Sequence, residues 1–308
     1  MAPVAPAAQP PAATYEHADR FRRLVDHFGE KLRTGALPSR PDELRKLAAA
    51  AVGGDPGTYT DDMHDAIEVA LNRRFREKAA TLESFGDLMN GALEIEAKLG
   101  ARSRTLGMVE RQQFSTPLPI AVAAAEAAGL SKSDVVLEPT AGTGNLAVAA
   151  QVSGAASKIL VNELDPRRAE ALRALGFEPT VGKYEALKVD PASRPTVIIA
   201  NFPWGKYSKG KYGKAFGIEF TPSDVAESFF PKAMRDLADG GRLVAVQPTT
   251  SVDPGAAGFR SWLEKNHTVR AIIESPPGAY DTRGTSVGSV IFVVDKGRVP
   301  GAPPPAHL

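Results

Sequence analysis

The chain has 308 residues, of which 43% are apolar and 24% are charged, so it is long enough for one large core and an accessory domain. Its formal net charge of +1 neither favours nor excludes nucleic acid as a partner, because a local patch matters more than the total. The absence of cysteine excludes disulfides, thiolate catalysis and cysteine-based zinc sites, and it fits a cytoplasmic protein. The five histidines have no metal-ligand spacing, and no apolar run approaches the ~20 residues of a membrane span.

The first part of the chain predicts a leader followed by helices. Residues 1–14 are rich in alanine and proline and lack the basic start and apolar stretch of a signal peptide, so we expect them to be disordered. Residues 15–104 predict a helical accessory domain, because apolar residues recur three and four positions apart. Helices are expected from residue 15, after Pro41, from 61 to 80 and from 83 to 99. Their arginines could contact nucleic acid or could form a solvated helix face.

The pattern changes within residues 105–297. Short apolar strands alternate there with helical segments, which is typical of a mostly parallel α/β sheet with helices on both faces. We expect the last two strands to form an edge pair, one of them antiparallel. Helices are predicted at 146–151, 167–175, 223–238 and 258–266. The Pro/Gly-rich tail, 298–308, predicts turns and polyproline structure.

A glycine-bearing turn follows the strand VVL. Glu138 ends the strand, Gly142-Thr143-Gly144 follows, and an alanine-rich helix comes next. This layout is typical of a nucleotide-type ligand resting on a strand-to-helix turn, although a simple tight turn is the alternative. Ala147 stands where the dinucleotide fingerprint requires its third glycine.

Carboxylates that could contact such a ligand follow the next two strands. Glu163 lies 163 − 142 = 21 residues beyond the first glycine, the distance at which an acid reaches ribose hydroxyls. Leu164 could pack on an adenine face, whereas Asp165 is predicted to cap the helix at Pro166. Glu185 could accept a hydrogen bond from the adenine amine or be an exposed loop acid.

The segment Asn201-Phe202-Pro203-Trp204 follows the apolar strand TVIIA. A carboxamide, a proline and a large aromatic at a strand end can present acceptors to the edge of a nucleobase and a stacking surface to its face. The alternative for this tetrapeptide alone is a loop cap. With the upstream motifs in the same order, it favours methyl transfer to an exocyclic amine.

Four stretches now resemble one family over about Gln112 to Lys296: QQFSTPLPIA, VLEPTAGTGNLA, NELDP and ANFPWG. They resemble class I S-adenosylmethionine-dependent methyltransferases of the N6-adenine type. The closing stretch from Tyr280 to Val287 is similar to the methyltransferase part of strawberry-notch-like methylase/helicase proteins of phages and mobile elements. The resemblance implies a Rossmann-like, mostly parallel seven-stranded sheet, S-adenosylmethionine as cofactor, and a helicase partner or fused helicase in relatives.

The resemblance also implies residue roles. Asn201 and the Phe202 carbonyl would accept hydrogen bonds from the target amine beside Pro203, and Trp204 would stack on an extruded base. The family usually has proline where Phe202 stands, which leaves DNA versus RNA open. The implied cofactor contacts are Gln113, Phe114, Thr116, Glu138, Pro139, Thr140, Gly142, Gly144, Asn145, Glu163, Leu164 and Glu185.

A basic aromatic segment, GKYSKGKYGKAFGIEF, follows the tetrapeptide directly. Lysines suit phosphates and tyrosines suit bases, so the segment predicts contact with single-stranded or flipped nucleic acid, DNA before RNA, although a flexible solvated loop is the alternative. The residues concerned are Lys206, Tyr207, Lys209, Lys211, Tyr212 and Lys214. Three other functions remain open: an RNA adenine methyltransferase, a protein glutamine N5-methyltransferase and a catalytically silent nucleic-acid-binding module.

Overall fold

The computed structural model of the protein describes residues 12–35, 37–38, 40–54, 61–99, 115–154, 156–207, 216–283 and 287–308. Within these ranges, every helix is too short or too polar to cross a membrane. The predicted contacts Gln113 and Phe114 and most of the basic segment, including Lys209, Lys211, Tyr212 and Lys214, lie outside the described residues.

The amino-terminal region is helical, as the apolar spacing predicts. Its helices are α1 (Ala12–Thr34), α2 (Pro41–Val52), α3 (Asp61–Ala79) and α4 (Phe85–Glu96). Two of the starts have a clear physical cause: Pro41 and two acids open α2, and the Ser84 hydroxyl accepts from the Asp87 N–H at the start of α4. The predicted leader is too long by three residues, because α1 already includes the helix-favouring Ala12 and Ala13.

The described strands form one mixed sheet of eight strands in the order β3-β2-β1-β4-β5-β7-β6-β8. The bounds are β1 (Val135–Glu138), β2 (Lys158–Glu163), β3 (Thr180–Val181), β4 (Val197–Asn201), β5 (Arg242–Pro248), β6 (Thr268–Glu274), β7 (Ser289–Asp295) and β8 (Ala306–His307). Strands β1 to β5 pair in parallel. Strand β7 lies between β5 and β6 and runs antiparallel to both, which confirms the predicted antiparallel strand.

The predicted sheet has one strand too few. Within the tail, Ala306 and His307 pair in parallel with Ala271 and Ile272 of β6. The Leu308 N–H also donates to the Ile272 carbonyl, so the tail satisfies backbone groups that an open edge of β6 would leave unpaired. A two-residue strand among prolines has no periodic signal, which is why the sequence did not predict it.

Helices cover the faces of the sheet. They are α5 (Leu118–Ala128), α6 (Asn145–Val152), α7 (Pro166–Ala174), α8 (Phe230–Asp236) and α9 (Ala257–Asn266). The helix predicted at 223–238 is instead a 3₁₀ turn, Ala226–Phe229, followed by α8. Pro231 lies in the first turn of α8, where its missing N–H costs no helical hydrogen bond.

The amino-terminal helices and the sheet share a core. One buried apolar cluster contains Phe28 of α1, Phe75 of α3, Val148 of α6 and Leu172 of α7. Polar contacts reinforce the junction, since Arg76 donates to the Leu175 carbonyl at 2.5 Å. The amino-terminal helices are therefore packed against α5, α6 and α7. The division of the chain near residue 104 stays a prediction.

Candidate active site

A cavity of about 480 Å³ lies at the carboxyl ends of β1, β2 and β4. Because these parallel strands are neighbours, Glu138, Glu163 and Asn201, which end them, reach the same edge of the sheet. Ligands of open parallel sheets bind at such edges, where the strand order reverses. Motifs that are separate in the sequence thus form one continuous site in space, and the side chains of Glu138, Glu163 and Asn201 all line it.

The two glycines of the turn have different roles. Gly142 lines the cavity with a φ of 55°, and its N–H donates to Glu163 Oε2 at 2.7 Å. Gly144 caps α6 with a φ of 86°, and a Cβ there would lie 3.0 Å from side-chain carbons of Leu172 and Leu175. Gly144 therefore packs the turn closely against α7, because an added Cβ would require Leu172 or Leu175 to move, and its contact with a ligand stays a prediction.

Two buried carboxylates face the cavity. Burial raises the pKa of Glu138 well above its usual 4.5, despite a hydrogen bond from the Ala147 backbone, and the neighbouring Glu163 adds to the rise. Burial also raises the pKa of Glu163, whereas the positive charge of Arg168 and the N–H groups of Gly142 and Asp165 act against that rise. Among the described residues, no partner hydrogen-bonds Glu138 Oε2. The site therefore holds buried acceptors that a polar, cationic ligand could satisfy.

Polar contacts fix the walls around these acids. The Asn145 side chain donates to Glu68 Oε2 at 3.1 Å and to the Thr116 carbonyl at 2.7 Å. The Pro139 carbonyl accepts from Asn162 at 2.9 Å, and Thr140 Oγ1 donates to the Asn201 carbonyl at 3.2 Å. These hydrogen bonds connect the glycine turn to β2, β4 and α3.

Asn201 has a defined setting at the end of β4. Its Nδ2 donates to Thr116 Oγ1 at 3.0 Å and to the Tyr280 hydroxyl at 3.5 Å. Both hydroxyls lie on the nitrogen side of the carboxamide. Because the group is planar, its Oδ1 points to the opposite side.

The residues after Asn201 divide between cavity and core. Phe202 and the half-buried Pro203 line the cavity, and Phe202 stacks on Phe229 with ring centroids 5.0 Å apart. Trp204 is only 4% exposed and packs on Tyr280 with ring centroids 5.1 Å apart, and its stacking on a base stays a prediction. An indole beside another ring buries more apolar surface than one held ready in solvent.

The remaining residues that the sequence predicted for the site lie in or near the opening of the cavity. Leu164 and Glu185 both line the cavity, and Leu164 is 57% exposed, so its apolar side chain is available to a ring. Asp165 caps α7 as predicted, accepting from the Arg167 N–H. Lys206 is exposed and Tyr207 half-buried, and neither lines the cavity.

Sequence reasoning missed two buried residues of the site. Arg168 lines the cavity and forms an ion pair with Asp65 of α3 at 3.4 Å. Tyr280 reaches Asn201 from the β6–β7 connection. Its segment had carried a family resemblance, but neither Tyr280 nor Arg168 has a spacing that connects it with the earlier motifs.

No known protein-family profile and no curated protein matches the chain in sequence. Its fold does match solved structures. A protein from Listeria monocytogenes assigned to the class I S-adenosylmethionine-dependent methyltransferases has 17% identity and a TM-score of 0.55, with 95% of this chain and 93% of that chain covered.

Two further structures belong to restriction systems by their descriptions. A protein from Vibrio vulnificus assigned as the modification subunit of a type I restriction enzyme has 16% identity and a TM-score of 0.50, covering 97% of this chain and 84% of that one. A chain of a type I restriction-modification complex has 16% identity and a TM-score of 0.53, covering 94% and 70%. The chain therefore has the class I methyltransferase fold, as predicted.

Proposed function

We propose that this protein is an S-adenosylmethionine-dependent methyltransferase that modifies the exocyclic N6 of adenine in DNA. The observation that carries the proposal is the Asn201 carboxamide, held at its nitrogen by Thr116 and Tyr280 at the edge of a cavity that two carboxylates line. A fixed acceptor beside a cofactor-sized cavity suits the transfer of a small group to an amine.

The residues of the cavity fit the cofactor. Its volume of about 480 Å³ lies within the ~300–1,000 Å³ of small-molecule sites. Glu138 Oε2, which has no hydrogen-bond partner in the described part of the chain, would meet the cationic amino-acid end of the cofactor. Glu163 would accept from ribose hydroxyls, Leu164 would pack on the adenine, and Thr116 and Glu185 would complete the contacts. When bound, the cofactor supplies an electrophilic sulfonium methyl.

The chain's own residues orient the substrate. Asn201 Oδ1 and the Phe202 carbonyl would accept the two hydrogens of the amine, which leaves the nitrogen lone pair directed into the cavity. The bond from Thr140 to the Asn201 carbonyl at 3.2 Å keeps the end of β4 in place. No residue has to remove a proton first, because the amine proton can leave to solvent after the methyl group has been transferred.

The substrate base would lie against Pro203, whose half-buried ring lines the cavity. Stacking by Trp204 would require that ring to leave Tyr280, so it belongs to a bound state that differs from this structure. The basic aromatic segment follows within a few residues and would contact the phosphates. DNA is placed first because fold neighbours are described as restriction-modification proteins. A helicase partner stays a prediction of the sequence resemblance.

An RNA adenine methyltransferase is the second candidate, because the tetrapeptide with Phe202 suits either nucleic acid. A glutamine N5-methyltransferase would use the same carboxamide chemistry, but a protein target gives no reason for the lysine and tyrosine pattern of 206–214.

The test measures transfer of a labelled methyl group from S-adenosylmethionine to unmethylated DNA, to RNA and to a glutamine-bearing protein in parallel. We expect N6-methyladenine in DNA. Asn201→Ala should lower the rate at least ~100-fold while the cofactor Kd changes less than about two-fold. The matched control is Asn90→Ala, which removes an exposed carboxamide from α4 and should leave the rate unchanged.

Each result separates the candidates. Label in RNA or protein alone would move the proposal to that substrate. Cofactor binding without transfer to any of the three would indicate a silent binding module. Full turnover by Asn201→Ala would remove Asn201 from the mechanism.

A further inference from the structure

The β6–β7 connection brings a tyrosine to the end of β4. Tyr280 precedes the 3₁₀ turn Asp281–Arg283 and is 1% exposed. Its ring packs on Trp204, and its hydroxyl lies on the nitrogen side of the Asn201 carboxamide, 3.5 Å from Nδ2. Burial raises the pKa of the hydroxyl, so it stays protonated at neutral pH.

In this structure the hydroxyl lies beside the nitrogen of the Asn201 carboxamide, which favours one orientation of that group. A carboxamide can turn by half a rotation and exchange its oxygen and nitrogen, which differ little in size. Thr116 Oγ1 and the Tyr280 hydroxyl together accept both Nδ2 hydrogens at 3.0 and 3.5 Å. With both acceptors engaged, Oδ1 is held on the side away from them.

The turn that carries Tyr280 is anchored from its other end. Arg283 is 2% exposed and lies between two carboxylates of the amino-terminal helices. Its Nε is 3.2 Å from Glu68 Oε1, and its Nη2 is 3.2 Å from Glu96 Oε2. The Arg283 N–H donates to the Tyr280 carbonyl at 2.8 Å, so the guanidinium anchors the tyrosine through one turn of backbone.

A second path leads from the same carboxylate to the other acceptor of Asn201. Glu68 Oε2 accepts from Asn145, and Asn145 donates to the Thr116 carbonyl at 2.7 Å. Tyr280 and Thr116 are therefore both attached to Glu68, one through Arg283 and one through Asn145. The backbone segments that carry the two hydroxyls are thus linked to the same carboxylate.

We propose that Tyr280 is a positioning residue for methyl transfer, which, with Thr116, holds the Asn201 carboxamide so that its oxygen faces the substrate amine. This inference rests on the proposed function. It assigns the amino-terminal helices a role in the geometry of the reaction through Glu68, Glu96 and Arg283. It makes no use of a contact between Tyr280 and substrate.

The first measurement needs no turnover. In protein labelled with 15N-asparagine, the Asn201 side-chain signal is identified by its loss in Asn201→Ala. Tyr280→Phe keeps the ring but removes the hydroxyl, so we expect the two Asn201 Nδ2–H signals to shift and their exchange with solvent to rise about ten-fold. Thr34→Val is the control, because it removes an exposed hydroxyl that donates only to backbone carbonyls of its own helix, α1. It should leave the Asn201 signals in place.

The second measurement is a double-mutant cycle of the transfer rate. Tyr280→Phe should lower kcat about ten-fold, with the cofactor Kd and the melting temperature little changed. In the Asn201→Ala background, Tyr280→Phe should cause no further loss, because a residue that acts through Asn201 has nothing left to position.

Equal losses in both backgrounds, or Asn201 signals that Tyr280→Phe leaves unchanged, would overturn the proposal. An equal shift of the Asn201 signals with Thr34→Val would show that the effect is not specific to Tyr280 and would overturn it too. If the wild-type protein transfers no methyl group, the proposed function fails, and the amide signals alone then decide the positioning role.

Discussion

At the scale of single residues, Glu138, the proposed cofactor contact, carries a cost in stability. It is 3% exposed, and burial raises its pKa well above 4.5. A raised pKa in the folded state means that the carboxyl is harder to ionise there than in the unfolded chain. Below about pH 4.5 the burial of Glu138 therefore costs no folding free energy through its ionisation. As the pH rises through and beyond that value, the burial of this carboxyl lowers the stability of the folded state.

Glu138→Gln should consequently stabilise the protein while weakening cofactor binding. We expect the melting temperature at pH 8 to rise by roughly 2–4 °C and the gain to shrink towards pH 5. The control is Glu126→Gln, which changes an exposed acid of α5. Thermal unfolding at both pH values and calorimetric titration with S-adenosylmethionine provide the measurements. A variant less stable than wild type at pH 8 would contradict this prediction.

Phe202 illustrates what the residue scale could and could not predict. The sequence marked it as a departure from the usual proline. The structure accommodates it, because Tyr184 and Phe229 stack on its ring with centroids 6.3 and 5.0 Å away. No local pattern predicts that partners 18 and 27 residues distant in the chain meet this ring. The same limit applies to Trp204, since Tyr280 covers its ring from another segment of the chain.

At the scale of elements, the glycine turn before α6 depends on a close approach to α7. Gly144 has a φ of 86°, and a Cβ would lie 3.0 Å from Leu172 and Leu175. The sequence predicted the turn and both glycines. The sequence could not show that Gly144 is needed for packing, because the distance between α6 and α7 does not follow from the residue spacing within either helix.

Gly144→Ala should therefore destabilise the protein by about 2–4 kcal/mol, from an unfavourable positive φ together with overpacking. Gly176→Ala is the matched control, since Gly176 has a φ of 77° with nothing within 4 Å of an added Cβ. It should cost only about 1 kcal/mol. Urea unfolding of the two variants provides the comparison, and equal losses would remove the packing role.

The basic aromatic segment after β4 also belongs to this scale. Replacing Lys206, Lys209, Lys211 and Lys214 by alanine should weaken binding to DNA and lower the slope of log affinity against log salt by up to about three or four. A charge-matched control replaces four exposed lysines elsewhere, Lys46, Lys132, Lys158 and Lys265. Affinities measured between low and moderate salt test the segment. A similar loss in both variants would point to net charge instead.

At the scale of the whole molecule, a buried ion cluster joins the amino-terminal helices to the sheet. Arg283 is paired with Glu68 and Glu96, and all three are at most 9% exposed. The alternation of strands and helices predicted the architecture, since the periodicity of each element is local. It could not predict the cluster, because residues 215 and 187 positions apart meet only through the three-dimensional arrangement.

Arg283→Met should destabilise the protein by about 3–5 kcal/mol, because it leaves two buried carboxylates without their counter-charge. Arg22→Met removes a surface pair whose side chains are 59% and 65% exposed, and it should cost less than about 1 kcal/mol. Chemical denaturation measures both. Adding Glu68→Gln to Arg283→Met should recover part of the loss, and a double variant less stable than Arg283→Met would contradict the electrostatic explanation.

The ion cluster also has a consequence for synthesis on the ribosome. Glu68 and Glu96 leave the ribosomal exit tunnel long before Arg283. Until Arg283 emerges, the early helices carry two acidic side chains whose buried counter-charge has not yet been added to the chain. Their buried counter-charge becomes available only after residue 283 has emerged. A nascent chain halted before that point should remain protease-sensitive around α3 and α4.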